Sequence, residues 1–252
     1  MDIGKTCVIS QPTFLPWLGW FDLAYQGDVM IILDDVAFSK QSWQQRNRIR
    51  TRNGLEFLSV PVKTSGRLGQ RILDCELANK PFVEKMIKTL HANYSKAAFF
   101  AGAIDELATT MKAAANTGLL VDLNCALISW MAGRLEVTTP MYRASTFGKG
   151  GERGEHVASI CEHVGAARYL SPAGAEDYLI EDRSAFDRRG ISVWIHVFDH
   201  PHYVQRFAPF MPYASALDLI FNVGAAAPEV MRSGRRPARA IGTKLPGNSE
   251  EL

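Results

Sequence analysis

Two short apolar runs near the N-terminus decide the fold class. Cys7-Val8-Ile9 and Val29 to Leu33 have the β-branched content of buried strands, and each ends in polar residues, Ser10-Gln11-Pro12 and Asp34-Asp35. Between them Pro16 opens a helical stretch from Trp17 to Gln26, where its missing N–H does no harm, and Gly27-Asp28 ends it. Strand, polar end, helix, strand, polar end is the order of an open, mostly parallel, Rossmann-like α/β sheet. In such sheets the ligand lies in the crevice outside the carboxyl ends of the strands, so the pattern aims Gln11, Asp34 and Asp35 into it.

Beyond Asp35, the run Lys40 to Arg52 holds five basic residues and no acid, and the hairpin signal Asn53-Gly54 follows. With Asn53-Gly54 as the turn, Arg52 faces Leu55, Arg50 faces Phe57, Ile49 faces Leu58 and Arg48 faces Ser59. Alternation then sets Ile49, Leu58, Val60 and Val62 on one side and a ladder of Arg46, Arg48, Arg50 and Arg52 on the other. Four cations along one strand face repel unless an anion lies across them or solvent screens them.

From Lys80 to Leu135 the apolar period becomes helical, with segments from Pro81 to Tyr94, Phe99 to Asn116, and a third after Gly118. They predict an inserted helical lobe at about 80–136. Val137 to Arg143, Arg168 to Ser171 and Ile191 to Phe198 read as further strands, and Ser215 to Asn222 as a helix. From Arg232 the chain is basic, contains proline and glycine, and is poor in apolar residues. The expectation is a single α/β domain over 1–231 with a basic β-hairpin, the helical lobe, and a disordered basic tail over 232–252.

A net charge of +2 over 252 residues creates no global field toward nucleic acid or an anionic membrane, so extended nucleic-acid binding is not expected, although contact with one RNA stem stays open. Cys7, Cys75, Cys125 and Cys161 lie far apart with no CxxC, which argues against zinc and a disulfide framework. Charged residues interrupt the apolar middle before any run reaches ~18 residues, so no membrane span and a cytoplasmic location are expected.

Several of these stretches resemble the WbqC-like family, found among bacterial O-antigen and surface-polysaccharide biosynthesis proteins. The carrying motifs are Gln11-Pro12 with Leu15 to Asp22; Leu33 to Val36 with Phe38, Lys40 and Trp43; Arg46-Asn47-Arg48-Ile49; Leu58 to Val62; Tyr94 with Phe99-Phe100; Gly165-Ala166 with Tyr169-Leu170-Ser171; His200-Pro201 with Tyr203 and Gln205; and Ser215 with Leu217-Asp218, Phe221-Asn222 and Gly224. The resemblance implies modification of sugars for surface glycans, and glycine transfer has been suggested for some members. One stretch departs from it: Arg153-Gly154-Glu155-His156-Val157 stands where relatives often carry a Lys-Thr-x-Arg-Leu pattern.

The arginine ladder with Lys40 and Lys63 suits phosphate, and Trp43, Trp17 or Phe14 suits a base or sugar face; the alternative is a solvated basic strand. Asp34 and Asp35 read as a general base, or as Mg²⁺ ligands together with substrate phosphates, against ordinary turn or cap aspartates. His200 reads as a further general base, with Tyr203 and Gln205 beside it, against a structural turn at Pro201. Gln11, Asn47 and Ser171 belong to the same expected ligand set. Ser215, Asp218 and Asn222 share one helix face, to line the cleft or, for Ser215, to cap the helix. Phe147 to Gly154 (FGKGGERG), with Lys149, resembles a phosphate loop only loosely and reads otherwise as a linker.

The expected partner is a nucleotide sugar or another phosphorylated small molecule, with an aminoacyl donor, and the expected activity a transferase. ATP-dependent carboxylate activation and a non-catalytic nucleotide-sugar-binding subunit are the alternatives.

Overall fold

The computed structural model describes residues 4–78, 81–148 and 150–243. In chain order, β1 (Thr6–Ser10) leads through a loop into α1 (Leu18–Tyr25) and β2 (Val29–Ile32). The hairpin β3 (Arg46–Thr51) and β4 (Gly54–Ser59) precedes three helices, α2 (Phe82–Tyr94), α3 (Ala101–Ala115) and α4 (Leu120–Arg134), where helical periodicity predicts them. Next come β5 (Met141–Arg143), α5 (Arg153–His163) and β6 (Arg168–Ser171). The chain continues through α6 (Glu176–Glu181), α7 (Arg183–Asp187), β7 (Ser192–Phe198), α8 (Ala216–Val223), α9 (Ala227–Ser233) and β8 (Arg235–Ala240).

The main sheet has the order β5-β2-β1-β6-β7-β8, with every pair parallel except β7–β8. From β1 the chain builds outward through β2 and β5, then returns to the other side of β1 with β6 and β7. The direction of winding therefore reverses between β1 and β6, which is where open sheets of this kind form their crevice. Successive residues of β1 and β2 serve two separate cores. Val8, Met30 and Ile32 pack with α1, α8 and the helical lobe, while Cys7, Ile9, Val29 and Ile31 pack with α5 and α7.

The hairpin forms in a different register from the expected one. Arg50 pairs with Leu55, Arg48 with Phe57 and Thr51 with Gly54, so Arg52-Asn53 makes the turn. A slip of two residues leaves every side chain on its own face, so apolar patterning does not discriminate between the registers. Gly54 takes φ +125° whereas Asn53 is not in the positive region, so the pair does not form a type I′ turn; the Thr51 hydroxyl closes it instead, donating to Gly54 O and accepting from Asn53 N.

The expected disordered tail is also corrected over its described part. Residues 235–240 form β8, an antiparallel edge strand on β7. Two arginines of the basic tail are paired, Arg235 with Asp22 and Arg239 with Glu176, and Pro237 is tolerated because the strand is at the edge. Residues 244–252 of that tail lie outside the described residues. No helix among the described residues is long and apolar enough to cross a membrane.

Candidate functional site

A cavity of about 490 Å³ opens where the winding of the sheet reverses. Ser10 at the end of β1 and Pro172, Ala173 and Gly174 just after β6 line it. Gly19, Trp20 and Leu23 of α1 and His196 and Phe198 of β7 also line it, and Thr13, Trp17, Trp43, Asn47, Arg48 and Tyr213 complete it.

The position of the hairpin at this cavity follows from one buried amide. Asn47, 3% exposed, donates from Nδ2 to the carbonyls of Phe14 (3.1 Å) and Leu15 (2.9 Å), and its Oδ1 accepts from Arg48 N. Leu15 holds φ +44°, costly for a branched residue, and this bond helps keep it there. Ser215 N donates to Arg48 O and Ala216 N to Pro16 O, so the loop after β1, the hairpin and the start of α8 are joined by backbone. Asn47 therefore lines the cavity and also builds it.

Arg48 is consequently held at the cavity wall. Its guanidinium lies 5.4 Å from the Trp43 ring, Nη2 donates to Tyr213 O at 3.4 Å, and Nε is buried with no hydrogen-bond partner among the described residues. Arg46 stands over Phe57 at 4.4 Å, and Phe57 and Trp43, each about half exposed, are 5.9 Å apart. Neither arginine, nor the exposed Lys40, makes an ion pair among the described residues. Trp17 packs edge-on to Phe198 at 5.6 Å and beside Tyr213 at 5.7 Å. The site thus joins uncompensated positive charge to aromatic faces, a combination that suits an anion carrying a ring.

Other expected residues are placed elsewhere. Arg50 is 2% exposed and donates to the carbonyls of Thr51, Phe207 and Pro209, so it is part of the scaffold and not a rung facing a ligand. Lys63 is paired with Glu76 at 2.6 Å. Gln11 is exposed and accepts from Gln44 Nε2. Ser171 is fully buried at the end of β6 and donates to Pro172 O.

None of the three expected proton acceptors lines the cavity. Asp34 is fully buried and accepts from Arg143 Nε (2.6 Å), Ser145 N and Ser145 Oγ, fastening β2 to the turn after β5. Asp35 faces His156 Nε2 at 2.9 Å; burial raises its pKa, but the His156 bond and the charge of Arg71 outweigh that and leave it below the usual carboxylate range. His200 spends Nδ1 on Pro201 O inside a cluster of Trp17, Tyr203, Phe210 and Tyr213, and burial lowers its pKa. Among the described residues no group of three His, Cys, Asp or Glu side chains is placed to hold a metal ion.

Asp218, also fully buried, gathers Tyr94, Tyr203, Gln205 and Asn222 as donors, and burial raises its pKa. This network fixes the segment between β7 and α8, while Ser215 Oγ caps α8 by accepting from Leu217 N. The glycine-rich stretch borders a second cavity of about 490 Å³ with Asp35, Arg71, Arg153 and His156. Its arginines are paired, Arg71 with Asp74 and Arg153 with Glu181, and Lys149 lies outside the described residues.

One group absent from the expected set is central. His196 Nε2 lies 2.9 Å from Asp22 Oδ2; Asp22 Oδ1 accepts from Arg235 Nε (2.9 Å) and Nη2 (2.7 Å), and Gln26 adds a fourth bond at 2.7 Å. Burial of Asp22 raises its pKa, but the His196 and Arg235 bonds outweigh it and hold the carboxyl below its usual range. The available signal was an acid enclosed by apolar residues in Gly19-Trp20-Phe21-Asp22-Leu23 and a histidine alternating with Trp194 and Phe198. Neither residue indicates the other.

A family model described as the WbqC-like protein family matches residues 11–230. The uncharacterized protein Rv1507c of Mycobacterium tuberculosis is 34% identical over 233 residues, a similarity spanning 92% of this chain and all of that protein. No solved structure matches the chain.

Proposed function

The chain belongs to the WbqC-like protein family, and on that premise we propose that it is a transferase modifying a nucleotide-linked amino sugar in surface-polysaccharide biosynthesis, adding glycine or a similar small acyl group. The observation that carries this reading is Arg48: a guanidinium without a carboxylate partner among the described residues, set in the wall of an aromatic cavity where the sheet reverses. Arg48 and Arg46 hold the phosphates, Trp43 stacks the base, and Trp17 orients the sugar. The cavity volume falls within the range of about 300–1,000 Å³ common to small-molecule sites.

The commitment of Asp34, Asp35 and His200 outside the cavity favours a second reading, a nucleotide-sugar-binding subunit without turnover. Thermal stability against nucleotide sugars, nucleoside diphosphates and ATP, with and without Mg²⁺, tests both. A ligand at ~100 times its dissociation constant stabilises the fold by about 2.7 kcal/mol. A shift specific to nucleotide sugars supports the proposal, and product formation with an acyl donor separates transferase from binding subunit. A shift with ATP and Mg²⁺ alone points to carboxylate activation instead.

A further inference from the structure

We infer that His196 is the proton acceptor of this cavity and that Asp22 positions it. His196 lines the cavity, while Asp22, fully buried, does not and meets the imidazole at Nε2. An ionised carboxylate only accepts, so Nε2 carries the ring proton and Nδ1 of the neutral ring keeps the lone pair. Arg235 from β8 and Gln26 occupy the remaining acceptor sites of Asp22, which fixes the carboxylate, and Phe198 stacks beside the imidazole at 6.0 Å. The charged groups at this dyad are Asp22 of α1 and Arg235 of β8. A base oriented by a further buried group is a recurring arrangement for proton abstraction.

The step rests on the proposed transferase for the identity of its reactants, an amine on the sugar and an activated acyl ester. The amine nitrogen attacks the acyl carbonyl carbon, forming the C–N bond, and its proton passes to Nδ1. Asp22 stabilises the imidazolium. The ester C–O bond then breaks with its electron pair on oxygen, and that oxygen takes the proton back from Nδ1. Amine plus ester gives amide plus alcohol, with no net oxidation and the histidine regenerated.

The test uses the full chain labelled with ¹⁵N-histidine, together with diethyl pyrocarbonate, which acylates unprotonated imidazole nitrogen. The expected result is the Nε2–H tautomer for His196, with acylation of the ring by the reagent. Asp22→Asn should lose that single tautomer, because a side-chain amide can donate to Nε2 as well as accept from it, whereas a ring oriented by its other contacts would keep it. An Nδ1–H tautomer, or a His196 that stays unmodified while the exposed His91, His163 and His202 react, overturns the proposal in the unsubstituted protein, whatever the stability of the variant. These readouts need no sugar. Absence of UDP-glucosamine binding with a reactive His196 counts against the transferase reading, whereas an inert His196 with intact binding removes this proposal alone.

Discussion

The Trp17 indole is seated so closely on Gly19 that a methyl group added at the glycine would lie 2.3 Å from its Cη2. Gly19 thus admits the ring that forms one wall of the cavity. Gly19→Ala should displace Trp17 from Phe198 and Tyr213 and weaken nucleotide-sugar binding by about tenfold or more, equivalent to ~1.4 kcal/mol. Alanine is itself a good helix former, so the melting temperature should move little. Titration calorimetry on the variant checks this, and unchanged affinity would contradict it.

Arg50 and Arg48, two residues apart on one face of β3, should respond oppositely to truncation. Arg50→Ala leaves the carbonyls of Phe207 and Pro209 without their donor and should cost about 3 kcal/mol of stability, read from the denaturant midpoint. A cost near zero would mean that the buried arginine is not structural.

Asp22 makes the stability dependent on pH in a defined direction. Its folded pKa lies below its unfolded value, so its contribution is complete above the unfolded pKa, ~3.9, and is lost as pH falls through the folded one. Asp22→Asn should therefore cost more at pH 7 than at pH 3. Asp218, raised by burial, has the opposite sign: its contribution is complete below the unfolded pKa and is lost as pH rises through the folded one, so Asp218→Asn should cost more at acid pH than at neutral pH. Urea unfolding at the two pH values separates them, and parallel pH dependence would refute the assignment.

Strands and helices were legible because their periodicity is local: β1, β2, β6, β7 and all three lobe helices lie where apolar spacing predicts. The fates of the polar residues were not, because each depends on a partner remote in sequence. Arg50 reads like Arg48 until Phe207, 157 residues away, supplies a carbonyl. Asp34 ends a strand as a crevice residue would, yet Arg143, 109 residues on, claims it. His196 looked like one more alternating strand residue because Asp22 is 174 residues distant.

Ending the chain at Gly234 should expose the edge of β7 and remove Arg235 from Asp22, lowering the melting temperature. Arg235→Ala in the full chain should reproduce part of the loss. Differential scanning calorimetry checks both; a shortened chain that melts like the full one would show that β8 contributes nothing.

The central claim is that Arg48 binds the anionic part of a nucleotide sugar. Calorimetric titration of UDP-glucosamine into the unsubstituted protein and Arg48→Ala, with melting temperatures of both, tests it most directly. The account predicts saturable binding that falls by about tenfold or more in Arg48→Ala, ~1.4 kcal/mol, at nearly unchanged melting temperature. Equal affinity in both proteins, or a variant that loses its fold and not its ligand, would contradict it.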